Sequence, residues 1–222
     1  TGGFNLSRTR FGFIGHMVDP SWKYKIWAGF GNNGNSILLD AHITKTFGNG
    51  LSVTAGQFKT PFLKEFLFSE TSLQFVDRSL VAGCFSCGYT QGVKLVYAQD
   101  MFRLTGSVND GVAALNTPWN ADMVEWALTG RGEFKLMGEW SQYNDWEGWR
   151  GQEMMVVIGV AGHVQEGESG TAAAEVFDLR WTVDAAIEGS GWNVFLAVVG
   201  RHMESSDPAV ADMDQIAFVI QG

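Results

Sequence analysis

The sequence predicts an all-β chain and, among all-β architectures, an antiparallel β-barrel that crosses a membrane. Three observations carry this reading. Apolar residues come in pieces of about 8 to 10 that alternate with polar ones and are separated by Gly, Asn, Asp and Ser. Aromatic residues (Phe4, Trp22, Phe30, Phe47, Tyr97, Phe102, Trp119, Trp140, Trp192) gather at the ends of these pieces, where a membrane interface places them; 9 tryptophans in 222 residues is a heavy load for a soluble domain. The connections also differ in length. Asp19-Pro20, Gly48-Asn49-Gly50, Gln99-Asp100 and residues 188–191 are short, whereas 59–88, 110–121, 143–152 and 202–213 are long, as in barrels with short turns at one end and long loops at the other.

Composition narrows the class further. With 45% apolar and 13% aromatic residues the chain is not a disordered one. A transmembrane helix needs roughly 18 to 20 apolar residues in a row. The longest apolar run, residues 154–161, stops at strand length, so a helical membrane protein is excluded. A soluble β-sandwich shares the alternation and is the competing architecture.

In order along the chain, residues 4–17 place Ser7, Thr9, Phe11, Phe13 and Met17 on one face and Arg8, Arg10 and His16 on the other. After the turn at Asp19-Pro20, residues 22–30 oppose Trp22, Tyr24, Ile26, Ala28 and Phe30 to Lys23, Lys25 and Trp27. Residues 37–47 oppose Ile37, Leu39, Ala41 and Ile43 to Asp40, His42 and Thr44, and Gly48-Asn49-Gly50 closes a hairpin into Leu51, Val53 and Ala55. Alternation stops after Pro61 and returns at Gly92, a gap of about 30 residues, too long for a hairpin and unusual in a compact domain unless the loop works. Strands follow at 92–97, 102–108, 123–130, 134–142, 154–164, 176–187, 192–199 and 214–220, about 12 in all. The clearest is 176–187, with Phe177, Leu179, Trp181, Val183, Ala185 and Ile187 against Asp178, Arg180, Thr182 and Asp184.

Several segments resemble one family. Gly56-Gln57-Phe58-Lys59-Thr60-Pro61-Phe62, then Glu65, Ser69-Glu70, Leu73, Phe75 and Asp77-Arg78-Ser79-Leu80, resemble the constriction loop of the phosphate-selective porin O and P family. The opening Phe4-Asn5-Leu6-Ser7-Arg8-Thr9-Arg10-Phe11-Gly12-Phe13 and Trp22-Lys23-Tyr24-Lys25 resemble its first two strands, and Val108-Asn109-Asp110-Gly111 a later strand end. The resemblance covers most of residues 4–111 and fades to strand pattern beyond. It implies a 16-stranded trimeric barrel of the bacterial outer membrane, with an arginine- and lysine-lined anion pathway narrowed by an inward-folded loop, here about residues 59–88. On this reading residues 1–222 are a single porin-like domain, incomplete at both ends.

A water-filled bore selects by charge at its constriction, where low-dielectric walls focus the field. The expected pore-lining cations are Arg8, Arg10, Lys23, Lys25, Lys94, Arg103, Arg131 and Arg180, with Lys59, Lys64 and Arg78 in the constriction loop. For each, a plain solvated strand face is the competing reading; in the loop, pairing with Glu65, Glu70 and Asp77 would hold it to the wall, and that reading is preferred for Arg78 with Glu70. Phe58, Phe62, Phe66, Phe68 and Phe75 are expected to anchor the loop. The net charge of −9 resides largely in later loops, but Asp178, Asp184 and Glu125 fall on inward faces, which argues against strict phosphate selectivity.

Cys84-Phe85-Ser86-Cys87 is expected to form a local disulfide in an oxidising setting. A zinc site would need two more ligands, and His16, His42, His163 and His202 are scattered, so no metal or cofactor is expected. The chain has no GxSxG, HExxH or phosphate-cradling glycine loop, and is acidic, so neither an enzyme nor a nucleic-acid binder is expected. The expected partners are small inorganic or organic anions (phosphate or polyphosphate among them), outer-membrane lipid and lipopolysaccharide, and two further copies in a homotrimer. A lattice-forming structural barrel with little conductance and a soluble β-sandwich binding module are the rivals.

Overall fold

In a computed structural model that describes residues 9–31, 35–118, 124–144, 146–168 and 174–222, eleven strands form one antiparallel sheet in chain order, each bonded to the next. They are β1 Thr9–Met17, β2 Asp19–Phe30, β3 Ser36–Thr46, β4 Leu51–Lys59, β5 Tyr89–Ala98, β6 Phe102–Asn109, β7 Val124–Met137, β8 Met155–Glu168, β9 Glu175–Gly189, β10 Trp192–Ser205 and β11 Met213–Gln221. Among the described residues no strand pairs with the outer edge of β1 or of β11.

Which face is buried decides between sandwich and membrane barrel. On β7 the buried residues are Ala127, Thr129, Arg131, Glu133 and Lys135, while Trp126, Leu128, Phe134 and Leu136 are exposed. On β9 Asp178, Arg180, Thr182 and Asp184 are buried and Leu179, Trp181 and Val183 exposed. A soluble sandwich buries the opposite set. Here the apolar set faces outward, as lipid requires, and the polar set lines the inside. No described helix is long and apolar enough to cross a membrane; the crossing elements are strands.

Among the described residues there is one strand fewer than the roughly 12 expected. The sequence pattern predicts two strands at residues 123–130 and 134–142. They are one, β7: Arg131 and Glu133 take inward positions and pair with Ala161 and Gly159 of β8. The change of parity moves the next connection to the other end. The described residues 138–144 and 146–154 emerge beside the short connections at 18, 47–50, 99–101 and 190–191, called here the turn end, and not beside 60–88, 110–118 and 206–212 at the loop end.

The segment 60–88 folds into the interior, carrying the short helices α1 Lys64–Leu67 and α2 Leu80–Phe85. Its neck is closed by the Thr60 amide donating to the Gly88 carbonyl at 3.0 Å. Glu65, fully buried, accepts from the Ser79 amide and hydroxyl at 2.6 Å each, pinning the start of α2 to α1. Two apolar clusters seat the segment on the inner wall of β8–β11. One joins Phe68 to Met155, Val157, Ala186, Phe195, Ala197 and Val219; the other joins Phe62, Leu63 and Ala82 to Val199, with Ala161 and Ala217 alongside. This explains the unbroken apolar run 154–161: Ile158 and Val160 face lipid, while Met155 and Val157 face the inserted loop.

Candidate functional site: a cationic gap between loop and wall

The loop covers one side of the bore and leaves a cavity of about 370 Å³ against the other, lined by Arg10, Lys25, Trp27, Asp40, Lys59 and Tyr89 of the wall and by Leu67, Ser69 and Thr71 of the loop. The register brings the wall residues together. Lys25 of β2 lies opposite Ile14 of β1 and His42 of β3, Trp27 opposite Asp40, and Lys59 opposite Tyr89. A bulge after Trp27 re-aims the strand so that both Leu39 and Asp40 are buried.

The cations here have three kinds of partner. Lys25 Nζ lies 2.9 Å from the Asp40 carboxylate and keeps about a third of its side chain exposed. Arg10 donates to Glu70, and Arg78 donates to the same carboxylate at 2.6 Å, so two guanidinium groups share one acid across the gap. Partial burial raises the Glu70 carboxyl, and the bonds from Arg78 and Arg10 outweigh it, holding it below the ordinary carboxylate range. Lys59 Nζ donates to the Phe66 and Phe68 carbonyls at 2.8 and 2.6 Å, binding the end of α1. Lys94 sits 4.6 Å above the Phe58 ring with no carboxylate in salt-bridge range among the described residues, and Lys23 is exposed near the turn end.

The remaining expected pore cations lie elsewhere. Arg8 is outside the described residues. Arg103 stacks 4.0 Å above the Trp140 ring. Arg131 is buried and fully engaged: it donates twice to Asp184 at 2.8 Å, to Glu133 at 2.9 Å, to the Phe62 carbonyl at 2.9 Å and to the Tyr143 hydroxyl at 3.1 Å. Arg180 binds Asp178 at 2.7 Å and the Phe85 and Ser86 carbonyls at 3.2 Å. Both point inward, and both fasten the loop to the wall. Lys64 is buried over the Tyr143 ring and donates to its carbonyl at 3.0 Å; burial pushes its ammonium down to about 7 while Glu133 pulls the other way.

The expected Cys84–Cys87 disulfide is not formed, and the expected phenylalanine anchors divide by burial. Cys84 and Cys87 are free thiols, one exposed on α2 and one buried beyond it, because the helix end turns them to different sides; burial pushes the Cys87 thiol up to about 12. Phe58, Phe62 and Phe68 are buried anchors, whereas Phe75 is exposed. Glu125 is exposed beside the bulge that opens β7.

Sequence reasoning missed Arg201, which joins Arg180 on Asp178 at 2.8 Å. Its signal was present: β10 runs on to Ser205, and the inward series Phe195, Ala197, Val199 continues to position 201. Also missed was a second tucked connection at the loop end. Gln57 accepts from the Asn116 amide at 2.8 Å, Gln91 donates to the Thr117 carbonyl at 2.6 Å, and Gln165 accepts from the Val112 amide at 2.8 Å.

The family model for phosphate-selective porin O and P matches residues 1–122. No curated protein sequence matches the chain. Among solved structures, the chain is similar to OmpTdeltaL8, a loop L8 deletion mutant of OmpT, an outer membrane protein of Vibrio cholerae. The identity is 14%, over 98% of this chain and 80% of that one, with a TM-score of 0.43. With more than half of its length matched by the family model, and with a lipid-facing sheet around an inserted loop, the chain belongs to the phosphate-selective porin O and P family and is a porin of the bacterial outer membrane.

Proposed function

We propose that this porin passes small anions, phosphate and polyphosphate among them, through the gap between the inserted loop and the β1–β5 wall. The observation that carries the reading is the charge balance around the gap. Arg10, Lys25 and Lys59 line it against Asp40, the one carboxylate among its described lining residues, and Arg78 and Lys94 stand nearby with Glu70. A surplus of positive charge beside low-dielectric walls favours anion entry, and several weak, partly neutralised cations in series let an ion step from one to the next. Arg131 and Arg180 take no part in this path; their donors hold the loop. The family supports a homotrimer whose loop end meets lipopolysaccharide, and a role without catalysis.

The test is a reversal potential in planar bilayers under a potassium chloride gradient, repeated with phosphate replacing chloride. The expected sign is that of anion preference, and Lys25→Ala combined with Lys94→Ala moves the potential toward the unselective value. A potential of cationic sign in the unaltered protein refutes the reading, and absence of any conductance favours the lattice-forming structural barrel.

A further inference from the structure

The loop is not the only segment inside the bore. From Met137 the chain leaves β7 at the turn end, and Gly138, with φ of 81°, turns it back at close quarters: a Cβ there would lie 2.7 Å from Met155. The connector, described over 138–144 and 146–154, then climbs inward instead of spanning the turn end as a short hairpin. Its Tyr143 is fully buried and its Trp146 nearly so. The Trp146 ring lies between Phe68 of the loop, 4.6 Å away centre to centre, and Phe195 of the wall, 4.8 Å away, while Asn193 donates to its carbonyl. Tyr143 meets Lys64 of the loop through its carbonyl and ring and receives a bond from Arg131 on its hydroxyl. The foot of the connector is tied to its own end of the barrel, with Trp140 donating to the Asp100 carbonyl at 2.7 Å and Gln142 to the Glu153 carbonyl at 2.9 Å.

We propose that the connector is a second wedge, entering from the turn end and meeting the constriction loop in the middle of the bore. Together they close the β7–β11 half to solute and set the size limit of the half left open. Tyr143 and Trp146 are its positioning residues: they touch the loop, not the solute. The Trp146 ring between Phe68 and Phe195 excludes water from the apolar patch of Met155, Val157, Ala186, Ala197 and Val219, so loop, connector and wall stand or loosen together. The inference rests on the porin role and is independent of which ion the pore prefers.

Single-channel conductance, the largest poly(ethylene glycol) that enters, and the reversal potential are compared in the reconstituted protein, with heat-modifiable migration on unboiled gels as the check of folding. Tyr143→Ala with Trp146→Ala is expected to raise conductance by a factor on the order of two and to admit larger polymers, with the reversal potential unchanged. Tyr143→Phe and Trp146→Phe, which keep the rings, restore the original limit. An unchanged conductance and polymer limit in the folded double variant overturns the proposal, as does a changed reversal potential with an unchanged limit. Should the double variant not fold, single cysteines in a Cys84→Ser, Cys87→Ser background decide. Val157→Cys, under the wedge, is expected to resist a charged thiol reagent while Lys25→Cys reacts and blocks current. Equal reactivity at the two positions overturns the proposal.

Discussion

The walls β1–β5 and β7–β11 share one outward face and have opposite interiors. Both show lipid the same alternation of Phe, Leu, Ile, Val and Trp. Inside, β1–β5 presents Arg10, Lys25, Asp40 and Lys59 to a cavity, with ion pairs that keep part of their surface in water. The β7–β11 wall presents Met155, Val157, Phe195, Ala197 and Val219 to the inserted segments, with ion pairs such as Arg131–Asp184 sealed beneath them. The same residue types therefore do different work on the two sides. In the open half Lys25 keeps about a third of its side chain in water beside Asp40, whereas in the filled half Arg131 and Arg180 are buried with their carboxylates.

The sharpest way to break this contrast is to remove one cation from each side. Arg131→Ala leaves Asp184 buried without its partner and frees the Phe62 carbonyl, and is expected to cost about 3–5 kcal/mol of stability. Lys25→Ala, at a half-open pair, is expected to cost no more than about 1 kcal/mol while altering selectivity. Denaturant unfolding in detergent measures both, and equal losses would erase the distinction. Next in size is Glu65→Gln, which weakens the charge-assisted bonds to Ser79 and is expected to cost about 1–2 kcal/mol, read by the same unfolding curves and by earlier proteolysis within 60–88.

The smallest effect is a pH slope. Lys64 falls from its ordinary 10.5 to about 7 on burial, so between those values the unfolded chain holds a proton that the folded one lacks. Stability then rises with pH across that window and flattens above it, and Lys64→Met removes the slope. A stability with no slope over the same range would mean that the faces of Tyr143 and Phe68, 3.3 and 4.3 Å from the ammonium, hold it charged.

Most strands were legible because a membrane barrel writes its two faces in period two, and Leu179, Trp181 and Val183 against Asp178, Arg180 and Thr182 leave little choice. β7 was misread because glycines and charges at 130–133 look like a turn when the inside of the sheet is not known to welcome Arg131 and Glu133. The inward direction of the cations was legible from parity. Their partners were not, because the Phe62 carbonyl is 69 positions from Arg131 and the Phe85 carbonyl 95 from Arg180. A trace of the filled half did exist. The first half of β8, residues 155–161, is apolar on both faces, and in a water-filled bore the inner face of such a stretch has to be covered by something.

That cover also constrains how the barrel is made. In an empty bore the apolar inner patch made by Met155, Val157, Ala186, Phe195, Ala197 and Val219 would stand as an oily surface against bulk water, so its lid has to be at hand when those strands dock. Chain order supplies it: residues 60–88 and 138–154 are both translated before β8, and each cap is thus available ahead of the wall it shelters.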